Sequence, residues 1–192
     1  MNYPNRNQFL QALKNQIEEN ILHHCLAVES CMGAIFDYLK TNNQLTEVDL
    51  KKEDWLLAGL IHDIDYSGEY KAFHPNRTLE VLARYDLTIT QKVHNIIRAH
   101  APEKTGYQPK NKSEWSLFCA DSLTGLITAV ALVYPSKKIA DVKLKSVLKK
   151  FKEPKFAAST RREEIKRCEN PQGLNIPLEK FIEICLEAMK KI

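Results

Sequence analysis

Apolar residues recur at helical spacing along almost the whole of this chain, and the alternation expected of strands is nearly absent, which restricts the fold to the all-α class. The stretch NILHHCLAVESCMGAIFDYL is the clearest case. Ile21, Cys25, Val28, Cys31, Met32, Ile35 and Leu39 fall on one stripe of a helix and mark its buried face. The same pattern predicts helices over about residues 6–19, 20–40, 52–65, 75–85, 88–100, 113–133, 139–152, 159–169 and 177–191. Pro75 and Pro177 suit first-turn positions, Pro102 follows a helix end, and Asn170-Pro171 with Gly173 reads as a turn. Residues 101–113 form the longest break, a flexible edge for a site.

At 192 residues, 44% of them hydrophobic and 27% charged, the chain suits one domain with a sizeable core. The start MNYPNRNQFLQ has neither the basic nor the apolar region of a secretory signal, and no unbroken run of about 18 apolar residues follows, so a cytoplasmic protein off the membrane is expected. The five cysteines, Cys25, Cys31, Cys119, Cys168 and Cys185, form no CxxC pair and fall mostly in apolar helical runs. Reduced, buried thiols follow. The net charge of +4 is uneven: residues 1–136 carry 13 basic and 16 acidic side chains, residues 137–167 carry 12 and 4, and the remainder 3 and 4. A basic run of this kind is either a solvated helix face or a phosphate or nucleic-acid surface.

All six histidines lie between residues 23 and 100. In WLLAGLIHDIDY an apolar helix ends on His62 and Asp63. A carboxylate buried there without a partner costs several kcal/mol, so a charge partner or a metal is expected. Gly59, one turn earlier, permits close approach of a neighbouring backbone. On the helix of residues 20–40, His24 falls on the apolar face beside Val28 and Cys31, while His23 lies on the flank with Ala27 and Ser30; His24 is therefore the better inward ligand. In SLFCADSLTGLITAVALVY, Asp121 stands in the middle of a long apolar helix, where an isolated carboxylate is rare. Three separate helices thus each offer an inward metal-binding group.

The ordered set His24, His62-Asp63 and Asp121 resembles the H…HD…D signature of the HD-domain superfamily. The stretches HCLAVE, AGLIHDIDY, IIRAH and CADSLTGLITAVALVYPSKKIADVKLKSVLKKFK resemble a family of small predicted HD hydrolases. The resemblance implies one HD-type helical domain over residues 1–192, with a metal-binding core at about 20–133 and C-terminal helices 137–192 packed on it. It also implies a divalent ion held by His24, His62, Asp63 and Asp121, and a hydrolytic reaction on phosphate esters or anhydrides. Two imidazoles and two carboxylates suit Mn, Fe, Ni, Co, Zn or Mg alike. The order His62-Asp63, His74, His100, Asp121 matches the version of the signature that holds two ions, with Asp63 as the bridging carboxylate; His74 and His100 as a helix-start residue and a substrate contact is the other reading. One or two ions per chain are therefore open.

Around the metal, Asp65 is a candidate acid, base or partner of a ligating imidazole, alongside Asp63 in the catalytic set. Arg77 and Arg98 are candidates to hold phosphate oxygens, Arg98 also as a catalytic group, and Lys138 belongs to a positive rim with Lys137, Lys143 and Lys145. The expected function is a metal-dependent phosphohydrolase, the ion activating water against a small phosphorylated metabolite or nucleotide. The alternatives are a di-iron oxygenase on the six-ligand site, or a regulatory or nucleic-acid-binding module with a structural metal. The segment 137–167 carries no known nucleic-acid motif, so a small phosphorylated substrate is the expected partner, with self-association into a homo-oligomer open.

Overall fold

The helical periodicity resolves into a bundle in which four long or central helices bring their polar residues to one end of an otherwise apolar core. The computed structural model describes residues 3–192. In chain order the helices are α1 (Arg6–Gln16), α2 (Glu19–Thr41), α3 (Lys52–Ile61), α4 (Thr78–Ala83), α5 (Gln91–Ala99), α6 (Pro102–Thr105), α7 (Lys112–Leu132), α8 (Leu144–Phe151), α9 (Arg162–Lys166) and α10 (Leu178–Met189), with short 3-10 turns between several of them. Among the described residues there is no strand. The all-α, single-domain class expected from the periodicity is the one found.

Two of the departures from the sequence pattern fall at prolines. Pro75 does not open a helix: α4 starts only at Thr78, whose hydroxyl donates back to the Pro75 carbonyl at 3.1 Å. Residues 101–113 are not one continuous break, because Pro102 heads the short α6, ended by Gly106 in the left-handed conformation at φ 67°.

Helix α2 packs on α3, α7 and α10, and α5 packs on both α3 and α7. The α2–α3 contact is close because Gly59 has no side chain: a Cβ there would stand 3.0 Å from the Glu29 Cα. Glu29 itself is fully buried on α2, and its carboxylate accepts a fork from Arg6, at 2.7 and 2.6 Å, and the Tyr3 hydroxyl at 2.9 Å. A buried carboxylate needs such partners, and these tie α1 to the back of α2.

The start of α7 is fixed twice. Asn111 caps it by accepting the Glu114 N–H at 3.0 Å, and the buried Asp49 carboxylate accepts the N–H groups of Lys112 and Ser113 at 3.3 and 3.2 Å. The start of α5 is capped by Thr90, which accepts the Val93 N–H at 3.2 Å. By length and composition α7 is apolar enough to cross a membrane, but 67% of its apolar window is buried inside the bundle. Helices α8, α9 and α10 pack on α7, and α10 also on α2.

The close approach at Gly59 gives a test with two signs. Gly59→Ala is expected to lower stability by about 1–3 kcal/mol, because the neighbouring backbone must move. Gly125→Ala, at an exposed α7 position with open space around it, is expected to raise it by about 0.5–1 kcal/mol through helix propensity. Urea denaturation of the two variants checks both, and equal effects at the two sites would refute the α2–α3 spacing.

Candidate metal centre

Each of four histidines reaches the same space from a different segment. His24 lies on α2, His62 follows the last turn of α3, His74 follows the 3-10 turn Gly68–Phe73, and His100 closes α5. Their orientation is set by the far side of each ring. His62 Nδ1 meets the Gly59 carbonyl at 2.9 Å, and His100 Nδ1 meets the Ile97 carbonyl. His74 Nδ1 meets Asp65 Oδ1 at 2.7 Å. His24 Nδ1 meets Thr124 Oγ1 at 3.1 Å, and that hydroxyl already donates to the Asp121 carbonyl at 2.8 Å, so it accepts from the imidazole.

These oxygen acceptors place a proton on all four Nδ1 atoms, which leaves the four Nε2 atoms as lone-pair donors to a cation. The Nε2 atoms converge. His24 and His62 approach to 3.1 Å, and so do His74 and His100. Carboxylates fill the same space: Asp121 Oδ1 lies 3.0 Å from His24 Nε2 and 3.7 Å from His62 Nε2, and Asp63 Oδ1 lies 3.5 Å from His62 Nε2 and 3.3 Å from His74 Nε2. Asp63 Oδ2 is 3.6 Å from His24 Nε2. Ligating atoms of His24, His62 and Asp121 lie within 4.8 Å of one another, as do those of Asp63, His74 and His100. Asp63 therefore faces both groups.

So many acceptors in one buried space repel one another unless a positive charge lies among them. The donor set is that of a divalent cation site: mixed imidazole nitrogen and carboxylate oxygen, with each imidazole held from behind by an oxygen. The protein's own titration meets the same demand with a proton. Burial pushes the His62 imidazole down, but Asp63 and Asp121 outweigh it and hold it up at about 9. Burial works against the charged forms of Asp63 and Asp121, yet His62 and His24 keep both below the usual carboxylate range, Asp121 the further. His100 goes the other way, to about 4, through burial and then the neighbouring His62.

The mouth of the site is a cavity of about 270 Å³ lined by Asp63, Tyr66, His74, His100, Lys104, Asp121 and Arg161, with Ala101 between them. Arg161 immediately precedes α9 and reaches back over α7. Its Nη2 donates to Asp121 Oδ2 at 2.6 Å and its Nε to Ser122 Oγ at 3.0 Å. Burial raises the nearby Glu164 carboxyl to about 7 although Arg161 opposes the shift.

The structure thus brings together His24, His62, Asp63, His74, His100 and Asp121, and leaves His23 exposed on the flank of α2. It moves Asp65 out of the reacting space: fully buried, it holds the His74 ring through Oδ1 and accepts the Arg77 N–H at 2.8 Å through Oδ2, so it positions rather than touches substrate. Three expected substrate groups point elsewhere. Arg98 stacks on the Tyr107 ring at 4.8 Å; two residues before His100 is about 200° around a helix, on the opposite side. The Arg77 guanidinium pairs with Glu80 at 3.0 Å and lies over Phe73. Lys138 is exposed on the loop after α7 and does not line the cavity. Tyr66, Lys104 and Arg161 take their place at the mouth, and none of the three was singled out by the sequence pattern.

A helical bundle draws imidazoles and carboxylates inward from separate segments into groups that could hold a metal ion. The HD-domain family model matches residues 21–126, more than half of the chain, and the chain belongs to that family, whose members are generally metal-dependent hydrolases. No curated protein and no solved structure matches it. The matched segment contains all six candidate ligands and Lys104 but ends before Arg161.

Below about pH 9 a proton on His62 must leave before a cation takes its place. Calorimetric titration of chelator-treated protein with Mn²⁺ in buffers of differing ionisation enthalpy is expected to show proton release at neutral pH. Affinity is expected to rise by up to about tenfold per pH unit between pH 7 and 8.5 for each proton displaced. Binding that takes up no change with pH would contradict the proton's place at this site.

Proposed function

We propose that this protein is a metal-dependent phosphohydrolase that acts on a small phosphorylated metabolite or nucleotide in the cytoplasm. The observation that carries the reading is the convergence of four Nε2 atoms on two carboxylates, with Asp63 facing both groups. His24, His62, Asp63 and Asp121 would hold one divalent ion, and Asp63, His74 and His100 a second, drawn from Mn, Fe, Ni, Co, Zn or Mg. When bound, such ions supply Lewis-acid polarisation of a phosphoryl oxygen and a lowered pKa for water.

The chain's own residues do the rest. Asp65 and Thr124 hold His74 and His24 in the tautomer that presents Nε2. The carbonyls of Gly59 and Ile97 do the same for His62 and His100. Lys104 and Arg161 put positive charge on the wall of a cavity of about 270 Å³, which favours an anionic substrate over a neutral one. Family membership supports hydrolysis: water adds to phosphorus, the P–O bond to the leaving group breaks, and the leaving oxygen takes up a proton. Five free, buried cysteines suit a reducing compartment, which supports the cytoplasmic part of the proposal.

The six-ligand arrangement also favours a second reading, a di-iron oxygenase, because the same donors suit two irons. Metal analysis after iron-rich growth, together with oxygen-uptake measurements, separates the two: hydrolysis supported by Mn²⁺ or Mg²⁺ without oxygen consumption is expected.

Metal-loaded protein is expected to release phosphate from members of a nucleotide and phosphomonoester panel. Asp63→Ala should lower that rate by about a thousandfold or more, and Asp65→Asn by about 10–100-fold through loss of the His74 hold. If the wild type releases no phosphate from any member, or Asp63→Ala matches it, the proposal fails.

A further inference from the structure

We propose that Arg161 is the phosphate-binding side chain of this site and that it selects a terminal phosphoryl group. The inference rests on the phosphohydrolase reading above. Arg161 lies outside the segment that the family model matches, so the feature belongs to this chain's C-terminal part.

The guanidinium has five N–H groups in one plane. Two are committed: Nη2 to Asp121 Oδ2 and Nε to Ser122 Oγ. Its Nη1 stands 3.7 Å from Glu103 Oε1, too far for a hydrogen bond, so the remaining N–H groups are free to be taken up by a ligand in the cavity that Arg161 lines. The same bond fixes where a ligand must sit. Asp121 turns Oδ1 to His24 and His62 and Oδ2 to Arg161, so one carboxylate separates the imidazole cluster from the guanidinium. An anion held at the Asp63 and Asp121 edge is therefore next to Arg161.

The position is built rather than incidental. Arg162, the next residue, donates Nε to the Phe151 carbonyl at 2.9 Å and Nη2 to the Glu153 carbonyl at 3.0 Å, and also to that of Phe156. It thereby holds the loop that delivers Arg161. Glu164 Oε2 also stands 2.9 Å from Arg161 Nε, but the one Nε proton already goes to Ser122, so this contact adds no hydrogen bond.

The donor geometry then defines the class of substrate. A terminal phosphoryl group presents three non-bridging oxygens, enough for the cations that the two groups around Asp63 would hold and for Arg161. An internal diester presents two and carries a substituent on each side. The cavity of about 270 Å³ admits a phosphoryl group with its leaving group. Lys104, which also lines the cavity, adds a second positive charge for a dianion.

The test uses inorganic phosphate as the probe, on metal-loaded full-length wild type, Arg161→Gln and Arg161→Lys, with metal content measured on each. Arg161→Gln is expected to weaken phosphate binding by about tenfold or more and to raise KM for phosphomonoesters in step. Its metal content should be unchanged, and Arg161→Lys should recover part of the affinity. Bis(4-nitrophenyl) phosphate, a diester, should be cleaved more slowly than phosphomonoesters by the wild type. Phosphate bound equally well by wild type and Arg161→Gln overturns the assignment while leaving the phosphohydrolase reading intact. Loss of metal in parallel with phosphate also overturns it, since Arg161 then serves only to position Asp121. A wild type that neither binds phosphate nor hydrolyses any ester defeats both readings.

Discussion

Everything at the active end of this molecule depends on what lies behind four imidazole rings. Two backbone carbonyls, one carboxylate and one hydroxyl take the four Nδ1 protons, and this alone turns four Nε2 lone pairs into the same buried space as Asp63 and Asp121. Reverse any one of these bonds and the ring would present an N–H where the other three present a lone pair. The arrangement is costly to the bare fold, because like-polarity groups are held together out of water. The upward shift of His62 and the downward shift of the two carboxylates are the same cost seen through protons: one site recruits a positive charge in whatever form is offered.

Such a centre stays in place only if the helices carrying it cannot drift. The constraints sit away from the ligands. Gly59 lets α3 lie against the α2 backbone near Glu29, one turn before His62. Glu29, gripped by Arg6 and Tyr3, fixes α2 from behind. Asp49 pins the first N–H groups of α7, two and a half turns before Asp121 by the usual helical count of about 3.6 residues. Each is a buried polar group satisfied by a neighbouring helix, so each specifies a relative position that apolar packing alone leaves loose.

How much of this was legible in the sequence follows from which interactions are local. The bundle was legible because its helices are amphipathic in the chain itself, and His24 was separable from His23 because helix face is set by spacing alone. His62, Asp63 and Asp121 showed through because a carboxylate in an apolar run is an anomaly without help from tertiary structure. Arg98 and Arg77 were misplaced for a reason equally physical: nearness to a ligand along a helix is not nearness in space, and two residues turn a side chain to the far face. Lys104 and Arg161 were hidden because nothing local marks them. Arg161 sits amid twelve basic residues in the segment 137–167, and only the fold of the chain back over α7 distinguishes it from the rest.

That distinction reinterprets the basic segment. Its charge looked like a surface for phosphate or nucleic acid, yet its members do unlike things. Lys143, just before α8, and Lys145 and Lys149 on it are exposed. Arg167 lies over the Trp115 and Phe118 rings, at 4.7 and 5.6 Å, and packs against α7. Arg162 spends its donors on carbonyls between Lys150 and Ala157. Among the cavity-lining residues only Arg161 comes from the segment. The adjacent pair Arg161-Arg162 therefore divides one task, with Arg162 ordering the loop after α8 so that Arg161 arrives at Asp121 with donors to spare. The part of the chain that the family model matches supplies the candidate ligands, and the helices that follow it supply an arginine at the cavity mouth. A common metal-binding core can acquire different substrate preferences in this way, because the segment that reaches the mouth can change without disturbing the imidazoles beneath it.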